Sequence, residues 1–180
     1  IGNPETQMAS GAVPFASTDA MMIGDAIVQN AGYGDKNVDV VVNATAGQIR
    51  AAAQALADRL PAGSTILVFF SGIGVNVDGK DYYAGIDAAM ATDTSKMVAV
   101  SDILGMFRNK GARLFVFNEA NRPIVAGRYF GREQLVGGNY AFTQGTSPGE
   151  MVFGTVKEDK VDGIYAKAFA DVLAEYRSNK

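Results

Sequence analysis

Few side chains in this sequence can carry covalent or acid-base chemistry. Its 180 residues include no histidine and no cysteine, which removes imidazole bases, thiolate nucleophiles, disulfides and thiolate metal sites together. Hydroxyls and carboxylates remain. Ser71, in Ser71-Gly72-Ile73-Gly74 after the apolar run Ile66-Leu67-Val68-Phe69-Phe70, could with Asp19 or Asp87 form a hydrolase of different chemistry. Such a site needs convergent polar groups and shifted carboxylate pKa values in a pocket, and no such cluster is expected here. Gly145-Thr146-Ser147-Pro148-Gly149 matches the Gly-x-Ser-x-Gly pattern of a nucleophile elbow. That elbow needs a helix directly after the serine and a later histidine. Residues 150–154 read instead as loop or strand, and the motif as a Ser-Pro-Gly turn. Asn76, Asp78 and Asp81 have a faint calcium-loop spacing, but the later bidentate glutamate is missing. Gly72 and Gly74 do not extend into a dinucleotide fingerprint. No metal and no cofactor is implied.

The elements that position these residues alternate between strand and helix. Ser17, Thr18 and Asp19 offer N-caps to a helix through about Asn30, with Met22, Ile23, Ala26 and Ile27 on one face and Gly32 after its end. Residues 38–42 are a short β-branched run. Thr45-Ala46-Gly47-Gln48 is a capping box ahead of a helix bearing Ile49, Ala53, Leu56 and Leu60. Residues 65–70 and 114–117 are apolar without alternation, as in strands buried on both faces, and a helix starts between them near Ser101-Asp102. Asp78-Gly79 predicts a hairpin before Tyr82 and Tyr83, residues 139–143 a further strand, and Tyr165, Phe169, Val172 and Tyr176 one stripe of a last helix. This order predicts a mostly parallel sheet covered by helices on both faces. Ligands of such sheets bind beyond the carboxyl ends of strands, which puts residues 71–74 and 118–121 on one edge.

Composition fits a single domain over residues 1–180: 48% apolar and 19% charged residues lie far from the disordered regime. A net charge of −3 does not favour nucleic acid. The span from Arg108 to Arg132 holds six basic residues (Arg108, Lys110, Arg113, Arg122, Arg128, Arg132) against Glu119, a net +5 that leaves −8 elsewhere. It reads as a solvated or partner-facing loop. No run approaches the ~20 apolar residues of a membrane span. Ile1-Gly2-Asn3 looks like the end of a strand, so the first strand is expected to be truncated. Compartment is not indicated.

The stretch Val68-Phe69-Phe70-Ser71-Gly72-Ile73-Gly74-Val75, continuing through Val77-Asp78-Gly79 and Tyr82 to Asp87-Ala88, resembles the caspase-like cysteine peptidases (peptidase C14-like), especially the bacterial metacaspase-related branch called orthocaspases. In that family a strand ends Ser-Gly-His-Gly, the histidine being the general base. A second strand ends Asp-x-Cys, and Asn118-Glu119-Ala120 occupies that place. Ile1-Gly2-Asn3, Asp19-Ala20, Ala141-Phe142 and Pro148-Gly149 resemble further landmarks. The resemblance implies a caspase-haemoglobinase-like three-layer α/β sandwich. It puts the base at Ile73, the nucleophile at Ala120, oxyanion-hole N–H groups at Gly74 and Ala120, and the acids of a basic S1 pocket at Asp19 and Asn118.

The departures decide the functional expectation. Isoleucine has no lone pair and alanine no nucleophile, and loss of such a unit costs about 10⁶-fold in a comparable triad enzyme. Asn118 is an amide where the family has an acid. An engineered Cys→Ala at 120 would leave Ile73 and Asn118 unexplained. The expectation is a pseudo-peptidase that binds a peptide or protein partner, such as an active peptidase. Two alternatives stand beside it: an assembly module with Ile73 and Ala120 filling a closed cleft, dimerising through residues 139–143, and the different hydrolase considered above.

Overall fold

Helix α1 (Ala16–Asn30) and helix α2 (Ala46–Arg59) precede the long strand β1 (Thr65–Val77), and a hairpin leads to β2 (Lys80–Ala84). Strand β3 (Met97–Ala99) runs into α3 (Val100–Arg108), followed by β4 (Arg113–Asn121) and β5 (Asn139–Gln144). A separate ribbon of β6 (Gly154–Lys157) and β7 (Lys160–Gly163) runs directly into α4 (Ile164–Ser178). The structure is a computed structural model and describes residues 1–4, 6, 8, 11–135, 139–157 and 160–178.

The main sheet has the order β3-β2-β1-β4-β5. The pairings β1–β4 and β4–β5 are parallel, whereas β1–β2 and β2–β3 are antiparallel, so four of the five strands run in one direction and β2 alone is reversed, which makes a mostly parallel sheet mixed. The Asp78-Gly79 hairpin is the cause, since both residues adopt positive φ (49° and 86°) and fold β2 back along β1.

Side-chain parity builds the three layers. Leu67, Phe69 and Phe117 point to one face and pack with Ile23 and Ile27 of α1 and with Ala166, Phe169 and Leu173 of α4. Val68, Phe70, Leu114 and Val116 point to the other, against Ile49 and Ala53 of α2 and Ile103 and Phe107 of α3. Successive residues of a strand face opposite sides, and with helices on both sides each must be apolar. That is why the runs at 65–70 and 114–117 do not alternate.

Four local expectations differ from the structure. Helix α1 starts one residue before Ser17, with Phe15 at the N-cap and no side-chain cap. Ser17 and Asp19 are turned toward tertiary partners instead, Asn43 and Ser71. Residues 38–42 form no strand. Val42 alone bridges Gly2, which also bridges Ser71, so the run lacks the ladder that its β-branched composition would need. On α4 the inward stripe steps by four through Tyr165, Phe169 and Leu173, leaving Val172 and Tyr176 64% and 60% exposed. Finally, the strand read over residues 65–70 does not stop there: β1 continues to Val77 because β2 takes over as its neighbour where β4 ends.

The capping box of α2 is present in full, Thr45 accepting from the Gln48 N–H and Gln48 from the Thr45 N–H. Thr45→Ala is therefore expected to lower global stability by about 1 kcal/mol, read as a shift in the urea midpoint at constant m-value.

Candidate functional site

The ends of β1 and β4 lie side by side in parallel register, Gly72 opposite Ala120 and Ile73 opposite Asn121. The two expected dyad positions are thus on neighbouring strands, one residue out of step. Their side chains enter different apolar clusters. Ile73 packs among Met8, Val13, Phe15, Ala16 and Val75, and Ala120 joins the cluster of Phe70, Tyr83, Val116 and Phe130. Both are fully enclosed, 1% and 0% exposed. None of the four main cavities is lined by Ile73, Gly74, Ala120 or Asn118, and the largest, about 330 Å³, lies beside Ile23, Ile27, Leu67 and Phe69.

Phe130 fills the space over the strand ends. A Cβ built on Gly74 would stand 2.5 Å from Phe130 Cγ, so the ring rests directly on the glycine backbone. The ring is held by Arg122, which is 6% exposed. Its Nε and Nη2 donate to the Phe130 carbonyl at 2.8 and 2.6 Å, and its Nη1 to the Thr146 carbonyl. Burial pulls the Arg122 pKa down, but guanidinium stays charged far above neutrality, so these are charge-assisted bonds. Of the basic segment, Arg122 and Arg132 also lie over the Tyr129 ring, at 5.4 and 5.2 Å.

Gly74 and Ala120 sit inside the ladders, opposite Tyr83 and Gly72. The Ala120 carbonyl also accepts from Thr146 Oγ1 at 2.7 Å.

Asp19 and Asn118 are not brought together. Asn118, on the Phe70 side, accepts from Tyr83 Oη at 2.7 Å and donates to the Thr143 carbonyl at 3.2 Å. Tyr83 is fully buried, stacked 4.0 Å from Phe70, and its phenol is pushed far up by burial, so it acts purely as a neutral donor. Asp19, on the α1 side, accepts from Ser71 Oγ and from the Gly163 N–H, each at 2.8 Å. Burial raises its pKa to about 6 against those two bonds. Glu119 lies beside Ser71 in register and accepts from the Tyr165 and Ala166 N–H groups at 3.1 and 2.8 Å. Burial, then the Asp19 charge, raises it to about 7.

A convergent polar cluster with shifted carboxylates therefore exists, against expectation: Asp19, Ser71 and Glu119 meet at the start of α4. Each is at most 2% exposed; Ser71 donates to Asp19, and the oxygens of both carboxylates accept from the protein's own donors. Asp87 is elsewhere, ion-paired to Lys96 at 3.1 Å. Ser147 opens a turn closed by Glu150 N to Ser147 O, with Pro148 and then Gly149 at φ +81°, and no helix follows it. Asn76 donates to Asp81, which exchanges backbone-to-carboxylate bonds with Glu133. Among the described residues no group of three potential ligands is placed to hold a metal.

Glu119, Phe130 and Tyr83 organise this region without having been assigned a role from the sequence, and Arg122, read there as part of a solvated or partner-facing loop, is buried on carbonyls instead. Glu119 carried a signal: the lone carboxylate of a central strand, directly after the apolar run 114–117, must find buried donors. Phe130 carried none.

The caspase domain family model matches residues 14–180, and the chain belongs to that family. No curated protein matches the chain.

A double-mutant cycle tests the packing of Phe130 on Gly74. Gly74→Ala alone should cost several kcal/mol through overpacking, and Phe130→Ala about 3–5 kcal/mol. Together they should cost clearly less than the sum in urea unfolding, because the first clash no longer exists.

Proposed function

We propose that this chain is a caspase domain without peptidase activity, acting by binding a peptide or protein partner through its outer surface while the ancestral cleft stays closed. The observation that supports the loss of peptidase activity is the packing of Ile73 and Ala120, at most 1% exposed and in separate apolar clusters, which the assembly alternative requires equally. In the proposed assignment Ile73 stands at the vestigial base, Ala120 at the nucleophile, Gly74 and Ala120 at the oxyanion hole, and Asp19 and Asn118 at the S1 acids.

Chemistry supports it. Cysteine-peptidase turnover needs a thiolate and a base that returns its proton, and the chain holds neither cysteine nor histidine. A basic side chain would meet no free acid, since Asp19 is bonded to Ser71 and Gly163 and Asn118 to Tyr83 and Thr143. Regulation of an active peptidase is one role open to such a fold. Assembly is the second reading, favoured by the position of β5 at the sheet edge, with Tyr140 and the neighbouring Phe115 40% and 42% exposed. No helix among the described residues is long and apolar enough to cross a membrane.

Purified protein is expected to show no turnover of fluorogenic Arg or Lys peptides. Ile73→His with Ala120→Cys should remain inactive and unfold at lower urea than the wild type, because the buried imidazole finds no polar partner. Regained hydrolysis by that variant would instead reveal a retained substrate groove. For the assembly reading, sedimentation should detect a dimer that Tyr140→Lys dissociates.

A further inference from the structure

Asp19 and Glu119 are two buried carboxylates that both touch one residue, Gly163. The Gly163 N–H donates to Asp19 at 2.8 Å, and a Cβ on Gly163 would stand 2.5 Å from Glu119 Oε1. With the Tyr165 and Ala166 N–H groups on Glu119, the pair takes three backbone donors from the β7–α4 junction. It thereby ties that junction to α1, β1 and β4. No salt bridge joins either carboxylate to a lysine or arginine among the described residues. Among the described residues, the titratable groups that face them are each other, Asp162 of β7 and the phenol of Tyr165 on α4, which is hydrogen-bonded to Thr143 of β5. Ser71 of β1 contributes a neutral hydroxyl.

We propose that Asp19 and Glu119 act as a proton-operated latch on the C-terminal β7–α4 segment, closed while the pair carries a proton and weakened when both carboxylates are ionised. Two adjacent buried carboxylates without a cation cannot both ionise cheaply, and the three N–H groups of the β7–α4 junction offset only part of the charge. Both groups are shifted upward, to about 6 and about 7. Acids raised above their unfolded values near 4 contribute stability that is complete below pH 4 and lost as pH rises through 6 and 7. Docking of α4 should therefore be tightest in mild acid and loosen as the pH rises to neutrality.

Native-state hydrogen exchange on the full chain, corrected for intrinsic rates, tests this. Protection of the Gly163, Tyr165 and Ala166 amides should fall by at least about tenfold between pH 5 and pH 8, while amides of α2 stay level. Asp19→Asn should flatten this dependence: its Oδ1 still accepts from Gly163, its Nδ2 donates to a reversed Ser71 hydroxyl, and Glu119 loses its charged neighbour. Junction protection that does not change with pH would overturn the latch, as would an unaltered dependence in Asp19→Asn. Carboxyl ¹³C titration of the wild-type chain decides the matter even where the variant fails to fold. Apparent values near 4 for both groups would overturn the proposal, and values two or more pH units apart from 4 would support it.

Discussion

Strand β1 has two neighbours in succession, and nearly every other feature follows from that. Its first nine residues pair with β4 and its last four with β2. A strand of this length in the middle of a sheet has every residue pressed against another layer on one side or the other, and from Val68 to Asn76 all are buried. A side chain there is either apolar or supplied with partners. Ser71 and Asn76 are supplied, through Asp19 and Asp81. Ile73 is apolar and sits among apolar neighbours, a burial that stabilises by roughly 1.5–3 kcal/mol. A histidine at that place would need a polar partner or an opening to water, and the cluster of Val13, Phe15, Ala16 and Val75 offers neither.

The buried polar groups follow one pattern: charges and amides in this half of the molecule are answered mainly by backbone rather than by opposite charges. Arg122 is spent on two carbonyls, Asn3 on the carbonyls of Ala44 and Ala84 and the N–H of Ala44, and Glu119 on two N–H groups. Such bonds join segments remote in sequence, and breaking one leaves a buried group unsatisfied at a cost of about 1–3 kcal/mol. They therefore fix loop positions more than they add net stability. Arg122 illustrates this by setting Phe130 over Gly74.

What was legible in the sequence had a local physical cause. Thr45 and Gln48 cap a helix through their own side chains, Asp78-Gly79 turns a hairpin through its backbone, and residues 65–70 show two-sided burial by lacking alternation. The motif around Ser71 to Val75 pointed to the family that the chain belongs to. What was illegible depended on partners far away in sequence. Asp19 looks like an N-cap until Ser71 and Gly163 claim it. Residues 38–42 look like a strand until the ladder proves to be a single bridge. Composition does not tell that Phe130 reaches Gly74, since only the fold of residues 122–131 brings them together.

A working dyad and a filled cleft make opposite demands on the same atoms. Catalysis requires groups left unsatisfied until substrate arrives, space beside them, and strain tolerated for that purpose. Here Tyr83 and Asn118 satisfy one another, Phe130 occupies the space over Gly74, and Thr146 bonds the carbonyl of Ala120. On the proposed reading, each of these contacts would have to break to admit a peptide. Once catalysis no longer selects for an open site, packing it gains apolar burial and hydrogen bonds, because functional sites are generally not at the stability optimum. On the proposed reading, the apolar residues at 73 and 120 and the ring of Phe130 are therefore one adaptation: removing the polar dyad makes closure favourable, and closure in turn excludes a polar residue from either position.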